Sequence, residues 1–205
     1  SAASDVYKRQ AVLTVEKVGK VDLPAPDIFF GNDKMEVTDT DIYKSDQAFT
    51  QGQMITVTGI DNLNEWWIDP DFFEKQSDGA LKFLPINGDY RVTANAVLKY
   101  FSVMALKDGK PAKLQDDGTG AIWAIGKGIG KPSVTSSEVG WEPSKALCLA
   151  QVASKKYQLT LKAGETLKTS GDPEVISFKF FHQNDWGGES VSYTHLRAHE
   201  TGAYL

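Results

Sequence analysis

What constrains this chain most is how short its apolar runs are and how they alternate. Met54-Ile55-Thr56-Val57-Thr58 switches between apolar and polar side chains, and Gly59 closes the run. Leu81-Lys82-Phe83-Leu84, Tyr90-Arg91-Val92-Thr93-Ala94 and residues 98–106 read as further strands, with Asn87-Gly88-Asp89 as a turn signal. Successive side chains of a strand point to opposite faces. Each run therefore has one apolar face, which needs a second layer to cover it. No segment carries a long helical period with capping residues. Short strands and turn signals at this spacing predict an all-β chain of sandwiches or barrels.

The order of the runs recurs. Ala121-Ile122-Trp123-Ala124-Ile125-Gly126 parallels the run that Gly59 closes. A polar loop then reaches Gly140-Trp141, as the earlier loop reaches Trp66-Trp67. Residues 147–150, 157–161 and 176–181 parallel 81–84, 90–94 and 98–103. This order predicts tandem immunoglobulin-like β-sandwich modules at 51–120 and 121–190, with a single larger sandwich as the alternative. Residues 11–50 contain Pro24 and Pro26 and are rich in Asp, Thr and Lys from 33 to 46. They read as a lead-in segment or the end of an upstream domain. Gly126-Lys127-Gly128-Ile129-Gly130-Lys131-Pro132 reads as a flexible loop rim. It misses the phosphate-loop spacing and has Pro132 where a Ser or Thr is needed.

Residues 1–10 and 191–205 resemble translated adapter sequences of shotgun DNA libraries. Both stretches are expected to be non-native, and the second module to be truncated. His195 and His199, four apart, would suit a metal, but they fall in that tail and are assigned no role. No metal or cofactor is expected. The chain reads as a fragment that lacks the start of its gene, so a missing leader or lipid-bearing cysteine says nothing about where the protein resides. It carries 22 basic and 27 acidic residues. Leaving out Lys8, Arg9, Arg197, Asp5 and Glu200 brings these to 19 and 25, a net of −6. That balance argues against a nucleic-acid surface. No apolar run reaches the ~20 residues of a membrane-spanning helix. Cys148, the single cysteine, lies in the apolar run 146–150. It is expected to be a buried, inert thiol.

The second unit resembles the carbohydrate-binding modules of SusE- and SusF-like outer-membrane lipoproteins from the starch-utilisation systems of gut anaerobes. The resemblance lies in Ile122-Trp123-Ala124-Ile125-Gly126, Gly140-Trp141, Tyr157-Gln158-Leu159-Thr160-Leu161, and Phe178-Lys179-Phe180 followed by Asp185-Trp186-Gly187. It covers about 70 residues, and the first unit matches more loosely. The resemblance implies a lipid-anchored, surface-exposed, non-catalytic glycan binder of the outer membrane, working beside a transporter complex. Trp66-Trp67 departs from the family's usual spacing, and the glycan need not be starch.

A sugar ring presents a C–H face and a hydroxyl edge. Its binding calls for a rigid aromatic face flanked by polar groups. The candidate ligand-binding residues are Trp66, Trp67, Trp141, Lys179, Gln183 and Trp186, with His182 and Asn184 as further hydrogen-bonding groups. Adjacent Trp66 and Trp67 point to opposite sides of an extended backbone, so at most one is expected on ligand. Trp123, in an apolar strand, is expected in the core. Glu65, Asp69, Asp71 and Glu74 read as solvated loop acids. They lack the signature of the facing carboxylate pair a glycosidase needs, and no enzymatic activity is expected. The competing reading is a structural or protein-interaction sandwich of a surface assembly, without a sugar site.

Overall fold

The computed structural model describes residues 25–189. The adapter-like stretches 1–10 and 191–205 lie outside them.

Strands begin well before residue 51. Six precede residue 60: β1 (Phe29–Phe30), β2 (Asp33–Lys34), β3 (Glu36–Asp39), β4 (Ile42–Phe49), β5 (Met54–Ile55) and β6 (Val57–Thr58). Five follow: β7 (Phe73–Lys75), β8 (Leu81–Phe83), β9 (Gly88–Asn95), β10 (Tyr100–Lys107) and β11 (Lys110–Pro111). The main sheet runs β11-β10-β9-β4-β3. Small sheets β5-β8-β7 and β2-β1-β6 complete the first unit. The strands pair antiparallel.

The lead-in reading of residues 11–50 is therefore corrected for its described part. β4 pairs with β9 from Ile42↔Asn95 to Phe49↔Gly88, making β9 an inner strand. Tyr43 and Phe49 point into the core at 0% and 1% exposure. The polar residues that suggested a connection belong to β2, to the exposed edge strand β3 and to the outward positions of β4. Charged edges are a common way to discourage pairing with other chains.

The second unit comprises β12 (Trp123–Gly130), helix α1 (Val134–Ser137), β13 (Glu138–Gly140), β14 (Leu147–Cys148), β15 (Ala150–Ala153), β16 (Lys156–Gln158) and β17 (Ser177–Phe181). β13 and β14 pair with one edge of β12, and β17 with the other. The chain is thus all-β, a multi-domain sandwich of several antiparallel sheets. The two units are not wired alike. In the first, β9 and β10 form a hairpin. Their sequence counterparts separate: β16 pairs with β15, and β17 with β12. The recurring order of runs does not make a repeated topology.

The glycine-rich run is also not a loop rim, because β12 continues through Gly130. Gly126 has φ +147°, and a Cβ there would fall 2.3 Å from the Phe178 Cα. Only glycine lets β12 and β17 approach so closely.

Of two core clusters among the described residues, one lies within the second unit and the other spans both units. Ile28, Phe30, Phe73, Phe83 and Phe101 of the first unit share a cluster with Trp123, Cys148 and Ala150 of the second. Trp123 is fully buried, as its apolar context predicts, and its Nε1 donates to the Ala112 carbonyl at 3.0 Å. Backbone bonds cross as well: Ile86 N–H to Gln151 O at 2.8 Å, and Leu114 N–H to His182 O at 2.8 Å. A shared core makes each unit part of the other's interior.

Two outcomes follow in solution. Thermal unfolding, followed by calorimetry, is expected as one cooperative transition. Trp123→Ala should destabilise that whole transition by about 3–5 kcal/mol, the usual cost of truncating a buried aromatic side chain to alanine. Two resolved transitions, with only one displaced, would show that the units fold separately.

Candidate functional site

The six candidate residues divide among three places. Trp66 is in the core at 6% exposure, stacked on Phe101 with ring centroids 4.7 Å apart. Its expected role on ligand is corrected: the Phe101 ring covers its face. Trp67 points the other way and lines a cleft of about 700 Å³ between the units. The remaining four lie on or beside the outer part of the second unit.

There Trp141 and Trp186, 45 residues apart in sequence, come together. Their ring centroids are 6.3 Å apart with planes at 28°, and they are 39% and 49% exposed. Each owes its place to a local device. Trp141 follows Gly140, which pairs with Gly126 of β12 and takes φ +59°. Trp186 sits in a turn closed by the His182 N–H to Gly188 O bond at 2.8 Å and the Phe181↔Glu189 bridge. Gln183 Nε2 donates to the Trp186 carbonyl at 2.7 Å, and Phe181 meets the Trp186 ring edge-on at 5.8 Å. Lys179 pairs with Glu189 at 3.0 Å, both half-exposed. The result is a paired indole surface with an amide and an ion pair nearby. It offers stacking area and a few hydrogen-bonding groups.

The cleft has a floor that sequence reading missed. Asp69 and Asp71 are not solvated loop acids; they are 6% and 1% exposed. Lys131 reaches them from the second unit. Its Nζ donates to both Asp69 oxygens at 2.8 Å and to Asp71 Oδ2 at 2.7 Å. Asp71 also accepts from Gln158 Nε2 at 2.9 Å, Thr160 N–H at 2.7 Å and Thr160 Oγ1 at 2.5 Å. Two acids of one unit are thus gripped by three residues of the other. The local signal is Asp69-Pro70-Asp71, where Asp69 Oδ1 accepts the Asp71 N–H at 3.0 Å. The lysine, 60 residues away, leaves no local trace.

Burial pushes the Asp69 carboxyl above the ordinary carboxylate range; Lys131 pulls it back only in part, and Asp71 opposes that pull. Burial acts on Asp71 in the same direction, but Lys131 and the Thr160 N–H and hydroxyl outweigh it, so Asp71 titrates below the usual range. Cys148, at the cleft's inner end, is buried as its sequence context predicts, and burial pushes its thiol up to about 12. Such a thiol is a poor nucleophile. Among the described residues no cluster of His, Cys, Asp and Glu suits a metal ion. No helix among them is long and apolar enough to cross a membrane.

Fold and site together define a tandem all-β protein with a paired indole surface and a cleft between its units. Residues 13–114 match the family model described as a domain of unknown function, DUF5125, and residues 117–205 match that of DUF5121. The chain is therefore a tandem of these two domains. The second match runs through 191–205, and the first begins in the segment read as a lead-in. No curated protein and no solved structure matches the chain.

The two acids should respond oppositely to pH. Asp71 holds its proton less tightly when folded. Its stabilisation is present above the unfolded carboxylate pKa of about 4 and is lost as pH falls through the lower folded value. Asp69 holds its proton more tightly when folded, so its contribution favours folding at low pH and is lost as pH rises through the raised value. Asp71→Asn should therefore be the costlier change at pH 7, and the gap should narrow towards pH 4. Urea unfolding of both variants at the two pH values checks this; equal costs at both would contradict it. Lys131→Met leaves two acids buried without their cation, and should cost about 3–5 kcal/mol at pH 7.

Proposed function

We propose that this protein binds a polysaccharide or oligosaccharide without cleaving it, at a bacterial cell surface, as part of a glycan-utilisation system. The observation that carries the reading is the Trp141–Trp186 pair. Two large indoles stacked on each other and still half-exposed are costly to leave uncovered, and such patches commonly mark interaction sites. The ring faces turned away from each other suit the C–H side of a sugar ring, and Gln183, Lys179 and Glu189 lie nearby to meet hydroxyls.

The carboxylates support a non-catalytic role. A glycosidase needs a general acid with a raised pKa facing a second free carboxylate. Asp69 is the raised carboxyl in the cleft, and both its oxygens are held by Lys131. Glu138 is lowered instead, by the Ser170 hydroxyl and the Gly128 N–H. Outer-membrane location, a lipid anchor beyond this sequence and a transporter partner rest on the resemblance to SusE- and SusF-like proteins.

Affinity electrophoresis through gels containing starch, β-glucan, xylan or galactomannan tests the reading. One glycan is expected to retard the protein. Trp141→Ala and Trp186→Ala, both folded, should each weaken that retention about tenfold, the loss expected when a central aromatic contact is removed. Unretarded migration of the folded protein through every gel overturns the glycan reading. It would favour the protein-interaction module, for which the same exposed indoles would serve as contact.

A further inference from the structure

We infer that the cleft between the two domains is a second carbohydrate site, distinct from the Trp141–Trp186 surface, and that it takes an uncharged sugar. The inference rests on the glycan reading above and extends it to a place and a ligand chemistry.

The volume of about 700 Å³ lies within the range of small-ligand sites. One wall is aromatic. Trp67 and Tyr100 are partners in a parallel bridge, secured by the Trp67 N–H to Lys99 O bond at 2.8 Å and the Phe101 N–H to Trp67 O bond at 3.4 Å. Bridge partners send their side chains to the same face, and their neighbours to the opposite one. Those neighbours, Trp66 and Phe101, stack in the core. Trp67 and Tyr100 are therefore set side by side on the cleft by buried structure, before any ligand arrives. A preformed wall lowers the ordering cost of binding.

The second domain's part of the lining is rich in hydroxyls: Thr135, Ser136, Ser137 and Ser144. A cavity lined by both aromatic faces and hydroxyl groups is the complement of a pyranose ring, with its C–H face and hydroxyl edge.

Charge decides the class of sugar. Every charged group lining the cleft already has a partner. Lys131 is held by Asp69 and Asp71. Lys145 pairs with Glu142 at 3.0 Å. Glu138 accepts the Gly128 N–H at 3.0 Å and the Ser170 hydroxyl. A uronic acid or sulfated sugar would need a cation drawn away from an existing carboxylate. A neutral sugar needs none.

The two sites adjoin. Gly140 and Glu142 line the cleft, while Trp141 between them turns its ring towards Trp186. A long glycan can engage both sites, whereas a short one can be held in the cleft alone.

Titration calorimetry of the full chain with maltohexaose, cellohexaose, xylohexaose, mannohexaose and a galacturonate oligomer separates the possibilities. One neutral hexasaccharide is expected to bind. Trp67→Ala, Tyr100→Ala and Ser136→Trp should each weaken it tenfold or more. Ser136→Trp obstructs the cleft from the exposed side without touching the aromatic wall, so its loss is read even if an aromatic variant fails to fold. Trp186→Ala, which trims the outer surface, should weaken retention on the polymer about tenfold, as above. Folded cleft variants that bind the hexasaccharide as wild type does would overturn the cleft site and leave the glycan reading standing. Tighter binding of the galacturonate oligomer would overturn the neutral-sugar assignment. If no hexasaccharide binds and no polymer gel retards the protein, both readings fall together.

Discussion

Lys131 stands enclosed between Asp69 and Asp71, and the placement of the two domains depends on that contact. A lone lysine in this interior would be costly to desolvate, and two buried carboxylates without it costlier still. Neither domain completes the group by itself. One lysine also does not balance two acids, and the excess is met by hydrogen bonds: Asp71 takes donors from Gln158 and Thr160. Buried ionic groups are modest sources of net stability, because desolvation offsets much of the attraction. Their geometry is demanding, however. Rotating or sliding one domain against the other breaks several charge-assisted bonds at once, so the group adds to the fixed placement that the shared core and the crossing backbone bonds set.

The cleft inherits its shape from that arrangement. Its aromatic wall comes from the first domain and its hydroxyl wall from the second, and Lys131 and Asp69 form part of its floor. The Trp66-Trp67 pair shows how local geometry divides labour here. One indole anchors the wall to the core through Phe101, and the other faces the open space. The exposed pair on the second domain is built differently, from two turns brought together by the pairing of β12 with β13 and β17. Rigid strands position both aromatic surfaces.

Much of the fold was legible in sequence because strand alternation is a local signal. The runs at 81–84, 90–94, 98–106, 121–126 and 176–181 all contain strands, and Trp123 is buried as its neighbours suggest. What was not legible depended on partners far away along the chain. Residues 33–46 look like a connection until β3 pairs with β4 and β4 with β9. Gly126 looks like a stop until β17 comes close enough to require it. Asp69 and Asp71 look solvated until a lysine from the other domain arrives. The site was read by the same rule. Opposite orientations for Trp66 and Trp67 follow from backbone geometry alone, whereas which of them would be buried required the register with Tyr100 and Phe101. The pairing of Trp141 with Trp186 has no sequence signal, since two turns 45 residues apart meet only in three dimensions.

The two family matches part between residues 114 and 117, yet the interior does not part there. A gene rearrangement that cut at this point would leave the first domain with two stranded acids and an empty slot where Trp123 fits. It would leave the second with an uncovered tryptophan and an orphaned lysine. Such halves are poor units of exchange. Recombination that respects this interior passes the two domains on together, as one heritable unit.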